Sequence, residues 1–212
     1  MKLFKQLFLA LGFAGSLAAG GVALAAEAPD AVVKKAVDGV TSAINADKSI
    51  QSGDRNRIMA LVDNKVVPYV NVERMTQSAV GPNWAKATPE QKAQLQKEFK
   101  HLLTNTYAGA FASYRPDTQI EYKPMRGTPG ATDTAVVRSV VTSGTAQPIP
   151  IDYYLEQFNG EWKVVDFSVY NARLVELYKG QFNAAIAANG VDGLIKQLAA
   201  KNGSVAATPA KS

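Results

Sequence analysis

The chain has 212 residues, no cysteine, and 23 Lys and Arg residues against 18 Asp and Glu, a formal net charge of +5. This length fits one domain, and the lack of cysteine excludes disulfides, zinc–thiolate sites and cysteine nucleophiles. No basic run interleaved with aromatic residues occurs, so the sequence predicts no nucleic-acid partner.

The first 25 residues have the pattern of a signal peptide. Two lysines precede a charge-free run over residues 7–22, and Ala-Leu-Ala at 23–25 fits the small-x-small cleavage pattern. An uncleaved membrane anchor is the alternative, but the apolar run is shorter than the roughly 20 residues that a spanning helix needs. We therefore expect an exported protein with a single domain over residues 26–201 and a mature net charge of +3, because the signal peptide holds two lysines and no acid.

The mature chain begins with helical periodicity. Residues 30–46 and 51–67 have apolar side chains at steps of three and four, which predicts two amphipathic helices. Pro68 lies at the end of the second. Asn71 is a good N-cap for a short third helix, which Gly81 and the proline after it should end.

The longest predicted helix covers residues 88–114. Thr88 is suited to the N-cap, and Pro89 is suited to the first helical position. Gln91 is placed to complete a capping box with Thr88. The apolar stripe of this helix is strongly aromatic. It consists of Leu95, Phe99, Leu102, Leu103, Tyr107, Ala110, Phe111 and Tyr114. The question for function is whether this stripe faces a packed core or a cavity.

After Pro116 the apolar pattern changes to alternation, which is typical of strands. Four strands are predicted, over residues 118–123, 134–142, 149–158 and 162–170. Since they follow one another and turns join them, we expect an antiparallel meander. Helices should follow over 171–188 and 192–201, and the small polar residues 202–212 should form a disordered tail. The predicted fold class is α+β, with a four-stranded antiparallel twisted sheet packed against N- and C-terminal helices.

Few residues are suited to catalysis. His101 is the only histidine, and without a second histidine or a cysteine it makes a poor metal site. Asp152 and Asp166 lie on neighbouring predicted strands and might act as an acid–base pair, but structural roles are favoured. Several tyrosines lie where the helices and the sheet should meet. Composition alone favours a packed core there, and the tyrosines shift the balance toward a cavity wall because a buried hydroxyl needs a partner.

An ordered set of short motifs runs through the mature chain. It comprises Pro68-Tyr69-Val70, Gly81, Trp84, Ala87-Thr88-Pro89-Glu90-Gln91, Phe99, Leu103, Tyr107, Ala110, Trp162, Asp166 and Gly193-Leu194. Together with the exported N-terminus, this set resembles the MlaC (toluene-tolerance) family of periplasmic phospholipid-binding carriers of Gram-negative bacteria. The resemblance covers nearly the whole mature chain. Residues 171–174 depart from it, since they read Asn-Ala-Arg-Leu where the family usually has a Gly-Val-Ser-Leu-like turn.

The resemblance implies a deep apolar pocket between the sheet and the helices, with acyl chains inside and the head group at the mouth. It also implies a periplasmic carrier that shuttles phospholipid between an outer-membrane lipoprotein–porin complex and an inner-membrane ABC transporter, and so maintains outer-membrane lipid asymmetry. Bound phospholipid would be the cargo, and no cofactor or metal is expected. A freely shuttling monomer is the expected oligomeric state.

Periodicity and the resemblance together select the expected wall of this pocket. Its residues are Val67, Tyr69, Val70, Leu103, Tyr107, Phe111, Ile151, Tyr153, Phe167, Val169 and Ala172. Arg138 and Arg173 are the expected rim cations for the head group. The main alternative is a small α+β enzyme, of the isomerase or dehydratase kind, that acts on an apolar substrate. A second alternative is an adaptor protein whose apolar residues only form a core.

Overall fold

The computed structural model describes residues 27–125 and 133–206. The expected signal peptide and the last residues of the expected tail, 207–212, lie outside the described residues. The α-helices are α1 (Pro29–Ala46), α2 (Lys48–Gln51), α3 (Arg55–Leu61), α4 (Val72–Val80), α5 (Pro89–Ala112) and α6 (Leu174–Ala206). The strands are β1 (Gln119–Tyr122), β2 (Thr134–Thr142), β3 (Ile149–Phe158), β4 (Glu161–Val169) and β5 (Ala172–Arg173). Within the described ranges, no helix is both long enough and apolar enough to cross a membrane.

The sheet confirms the α+β class and the antiparallel meander, with one strand more than the sequence predicts. Five strands lie in the order β1-β2-β3-β4-β5, and each pair of neighbours is antiparallel. Tyr170 and Asn171, with φ of 50° and 63°, form the two-residue turn into β5. Such a turn needs positive φ at both central residues, which asparagine tolerates well. We expected a helix to begin at Asn171, because a two-residue strand is too short to show alternation.

The segment predicted as one helix over 51–67 is broken in the structure. Gly53 has φ of 83°, and the Asp54 side chain then caps α3 by accepting hydrogen bonds from the N–H groups of Asn56 and Arg57. After α3 the chain widens into a π-helical turn, Val62–Val66, followed by a 3₁₀ turn, Val67–Tyr69. Pro68 lacks an N–H and cannot continue an α-helical ladder, which accounts for the change.

The chain after this turn is attached to the sheet. Val70 forms a parallel bridge with Val164, and the N–H of Asn71 donates to the Val164 carbonyl at 2.9 Å. The Asn71 side chain then caps α4 as predicted, by accepting from the N–H of Arg74 at 2.9 Å. These bonds hold the segment 67–71 against β4.

The long central helix begins as the sequence predicts. The Thr88 hydroxyl accepts from the N–H of Gln91 at 3.2 Å, and the Gln91 side chain accepts from the N–H of Thr88 at 3.0 Å. This reciprocal capping box satisfies two N–H groups that the first turn leaves without helical partners. The helix ends at Ala112, close to the expected boundary.

The last helix is longer than expected. The range α6 contains two helices that meet at Gly190, where φ of 69° and ψ of −178° are not helical, so the predicted break between two helices is confirmed. The second helix continues to Ala206, so residues 202–206, which we expected in the tail, are helical. Asn202 is buried, and its amide donates to the Glu98 carbonyl at 3.0 Å and the Glu98 carboxylate at 2.8 Å. These bonds to α5 stabilise the added turn. Leu177, expected to face inward, is 50% exposed.

Candidate functional site: an open apolar surface between three cores

The buried apolar residues form three clusters instead of one contiguous core. The helical core joins α4, α5 and α6 around Phe99, whose ring packs edge-on against Tyr178 at 5.3 Å and Phe182 at 5.1 Å. The sheet core joins α1 to β2, β3 and β4 around Val137 and Leu155. A third core joins α1, α2 and α3 through Ile44, Ile50, Ile58 and Leu61. A compact domain usually has one contiguous core, so the partly buried apolar residues at the margins of these clusters are the candidate site.

The apolar stripe of α5 changes character along its length. Leu95, Phe99 and Leu102, in the first part, are 0%, 1% and 2% exposed. Tyr107 and Phe111, further along, are only half-buried. Phe111 packs at the margin of the third core. The stripe therefore leaves the packed interior and continues as a partly open apolar surface.

The sheet shows the same change from one end to the other. On its inner face, Val137 and Leu155 are 1% exposed. Toward the other end of the same strands the inner face carries Ile149, Ile151 and Val169, all half-buried, and Ile151 lies directly opposite Val169. Branched apolar residues that point inward but stay partly accessible are typical of the wall of a ligand pocket.

Two of the expected wall residues connect the helical core to the sheet core. Val70 and Phe167 are half-buried and pack against both clusters. The Phe167 ring packs edge-on against Tyr153 at 5.7 Å. Tyr69 and Ile151 lie at the margin of the sheet core, and Leu103 lies at the margin of the helical core. Six of the eleven expected wall residues thus pack at the margins of the buried clusters, and they are Tyr69, Val70, Leu103, Phe111, Ile151 and Phe167.

Val67 and Ala172 lie apart from that group. Val67 lines a surface groove beside the β3–β4 hairpin, together with Phe158, Glu161 and Lys163. Ala172 is exposed on β5, although its register opposite Val169 keeps it on the inner face. The sequence pattern missed this difference because periodicity does not show how far an element extends beyond its neighbours.

Both expected rim arginines belong to the outer face of the sheet. Arg138 lies opposite Asp152, on the face away from Tyr153. Arg173 donates from Nε to the Asp166 carboxylate at 2.8 Å, and its guanidinium carbon lies 4.2 Å from the centre of the Tyr154 ring. The register therefore gives no support to a head-group contact by either arginine.

Asp166, the strongest candidate for a catalytic acid, has a structural position. It is 1% exposed, and one carboxylate oxygen accepts from the N–H groups of Phe167 at 2.8 Å and Val175 at 3.1 Å. The other oxygen receives the Arg173 hydrogen bond. The carboxylate therefore stabilises the first turn of α6, where a negative charge is favourable.

The remaining candidates for acid–base or metal chemistry are dispersed. Asp152 lies opposite Arg138 and Ser168, and Tyr154 is the residue opposite Asp166. The pKa of His101 is lowered, chiefly by partial burial and then by Lys100. Among the described residues, no group of three or more His, Asp or Glu side chains is placed to hold a metal ion.

Tyrosine hydroxyls are the polar groups that enter the apolar region. The pKa of Tyr107 is raised by burial and by Tyr178, and the pKa of Tyr153 is raised by burial. Tyr122, on β1, packs at the margin of the sheet core and has a buried hydroxyl. The sequence gives Tyr122 no distinguishing pattern, because it is a single tyrosine on a short strand.

Comparison with known proteins identifies the family of this chain. The family model described as MlaC protein matches residues 34–200. The chain belongs to the MlaC family. This confirms the resemblance drawn from the short motifs, and the match includes every residue of the expected wall.

Two curated relatives and a solved structure are similar over most of the chain. The toluene tolerance protein ttg2D of Pseudomonas putida is 28% identical over 170 residues, which is 80% of this chain and 78% of the relative. The intermembrane phospholipid transport system binding protein MlaC of Haemophilus influenzae is 26% identical over 179 residues, 83% of each chain. A phospholipid-binding protein from Ralstonia solanacearum, solved in complex with a phospholipid, is 40% identical with a TM-score of 0.80. That match covers 85% of this chain and 99% of the solved one.

Proposed function

We propose that this protein is a periplasmic phospholipid carrier. Its cargo moves between an outer-membrane lipoprotein–porin complex and an inner-membrane ABC transporter complex, which maintains outer-membrane lipid asymmetry. The observation that carries the proposal is the half-buried apolar surface between three separate cores. The Ralstonia solanacearum protein, which has the same fold and holds a phospholipid, supports it.

The acyl chains would lie along the open part of the α5 stripe and the open end of the sheet. Leu103, Tyr107 and Phe111 form the helix side, and Ile151, Tyr153, Phe167 and Val169 form the sheet side. Tyr69 and Val70 connect the two. We assign Ala172 to the β5 edge of the wall because it is exposed on the inner-face side of that strand.

An apolar wall is what a carrier of this kind requires. Moving a diacyl lipid with about 30 methylene groups from a bilayer into water raises its free energy by on the order of 24 kcal/mol, at about 0.8 kcal/mol per methylene. A carrier must replace the bilayer with surface of similar quality. Non-directional contacts with Val, Ile, Phe and Tyr also accept chains of different length, so the wall needs no cofactor.

The enzyme alternative receives less support from the geometry. A catalytic acid or base needs an oxygen or nitrogen free to reach the substrate. Both Asp166 oxygens are occupied by the first turn of α6 and by Arg173. Asp152 lies on the outer face of the sheet, opposite Arg138. We therefore propose that the protein binds and releases lipid without chemistry.

Periplasmic location and a monomeric state complete the proposal. The signal-peptide pattern of residues 1–25 supports export, and a soluble monomer suits transfer between two membranes. The head group would remain at the mouth of the pocket. Since Arg138 and Arg173 lie on the outer face, we expect weak dependence on head-group charge.

Native mass spectrometry of the mature protein, purified from the periplasm, tests the proposal directly. We expect a mass excess that matches phospholipid, and organic extraction should then identify the lipid. A protein that is empty as purified, and that stays empty after incubation with phospholipid vesicles, would overturn the proposal. The membrane role has its own test, since the gene should restore the outer-membrane barrier in a bacterium that lacks its MlaC protein.

A further inference from the structure

Tyr122 brings a buried hydroxyl into the otherwise apolar sheet core. It lies on the edge strand β1, directly opposite Ser139, which puts its side chain on the inner face of the sheet. Its ring packs with the sheet core beneath α1. Its hydroxyl oxygen is buried, and among the described residues it has no hydrogen-bond partner.

The groups around Tyr122 keep its hydroxyl protonated. Burial raises its pKa, and Tyr153 and Asp38 raise it further, so the hydroxyl keeps its proton at physiological pH. The Lys34 amine lies 5.5 Å from the centre of the Tyr122 ring and is hydrogen-bonded to Asp30 at 2.8 Å. The hydroxyl of Ser139, directly opposite Tyr122, by contrast donates to the Ile151 carbonyl at 3.4 Å. Tyr122 is therefore a neutral donor at the margin of an apolar surface.

A buried donor without an acceptor costs free energy, since it has lost its bonds to water. Hydrocarbon chains offer no acceptor and do not recover that cost. The glycerol end of a phospholipid can recover that cost, because its ester carbonyls and phosphate oxygens accept hydrogen bonds. A lipid oriented with its glycerol end toward β1 would therefore gain a hydrogen bond that a simple hydrocarbon cannot make.

We propose that the Tyr122 hydroxyl donates a hydrogen bond to an acceptor oxygen of the bound glycerophospholipid, either an ester carbonyl or a phosphate oxygen. This inference rests on the proposed function and names a contact within it. The contact sets the depth at which the lipid lies, and it favours glycerophospholipids over ligands that have no acceptor at that depth.

Tyr122→Phe tests the inference, because it removes the hydroxyl and leaves the ring. Lipid-free wild-type and variant proteins are titrated with a diacyl phosphatidylethanolamine and with its dialkyl-ether analogue, which lacks ester carbonyls. We expect about three- to tenfold weaker binding of the diacyl lipid, the usual effect of one neutral hydrogen bond. The melting temperature of the lipid-free variant should stay the same or rise, since an unpaired group has been removed.

Ser139→Ala is the matched control. The Ser139 hydroxyl donates to the Ile151 carbonyl at 3.4 Å, so its loss should lower the melting temperature of the lipid-free protein. The control shows that the assay detects the loss of an internal hydrogen bond. A similar fall for Tyr122→Phe would mean that its hydroxyl binds a protein acceptor, and would overturn the inference.

The two lipids distinguish the possible acceptors. Weaker binding of the diacyl lipid alone assigns an ester carbonyl, and weaker binding of both lipids assigns a phosphate oxygen; either result supports the inference. Unchanged binding of both lipids by a stable Tyr122→Phe protein overturns it and leaves the carrier proposal intact. A wild-type protein that binds neither lipid overturns the inference and the proposed function together.

Discussion

The two parts of α5 share one helix and one apolar stripe, yet they have different surroundings. Phe99 is 1% exposed and packs between Tyr178 and Phe182. Phe111, three turns later on the same stripe, is half-buried at the margin of the third core. The difference shows that one apolar stripe can be buried in a packed core at one end and stay partly exposed at the other.

The cause of the difference lies in the elements that cover each part. The first part of α5 packs against α4 and α6, which close over it from two sides. The second part lies near α2 and α3, where Ala108 and Phe111 pack at the margin of the third core. Interiors are normally close-packed, so a segment that stays open has a reason other than stability.

The largest expected contrast is between Phe99→Ala and Phe111→Ala. Phe99→Ala should lower the free energy of unfolding by about 3–5 kcal/mol, because it leaves a cavity in a filled core. Phe111→Ala should lower the free energy of unfolding by less than half as much, because the Phe111 ring is already partly accessible to solvent. Chemical denaturation of both lipid-free variants measures the contrast. Equal losses would mean that the two parts of the stripe are packed alike.

The second prediction tests the packed region through Asp166. Asp166→Ala removes the acceptor of two backbone N–H groups and the partner of Arg173, and should cost about 2–3 kcal/mol of stability. Lipid content per folded molecule should be unchanged. We would measure unfolding by denaturant and loading by native mass spectrometry at a temperature where the variant is folded. A folded variant that still binds lipid but has lost an enzymatic turnover would support the enzyme alternative.

The third prediction tests the open region through Phe111→Glu. A carboxylate beside the acyl chains should reduce loading by at least about tenfold, because desolvating a charge without a partner is unfavourable. The matched control is Leu177→Glu on α6, where the side chain is 50% exposed and loading should not change. Ala172→Glu should have an intermediate effect, since Ala172 is exposed on β5. Normal loading by a folded Phe111→Glu protein would show that Phe111 is not part of the wall.

The smallest expected effect concerns His101, on α5 between the two parts. Partial burial lowers its pKa, so the folded protein binds a proton less readily than the unfolded chain, whose histidine pKa is about 6.5. Stability should therefore decrease as pH falls through that value. Between pH 7.5 and 5.5, His101→Gln should reduce the fall in melting temperature by about 1 °C or less. If the melting temperatures of the variant and the wild-type protein depend on pH in the same way, His101 is effectively solvated.

The sequence predicted the elements whose signals are local. The capping box at Thr88 and Gln91, the Asn71 cap and the spans of β2 and β3 agree with the structure, because each depends on neighbouring residues. The break at Gly53 and the strand β5 were missed. A single glycine and a two-residue strand produce no periodicity, and tertiary contacts decide their conformation.

The sequence by itself determined the family, the α+β class, the order of the strands and the apolar residue types that an acyl chain would contact. Only the tertiary structure decided that Phe99 is core while Phe111 lies on an open surface. Only the register decided that Arg173 binds Asp166 on the outer face, and that the Tyr122 hydroxyl points into the inner face without a described partner. The reason is physical: periodicity fixes which side of an element a residue occupies, whereas exposure depends on which other elements cover that side.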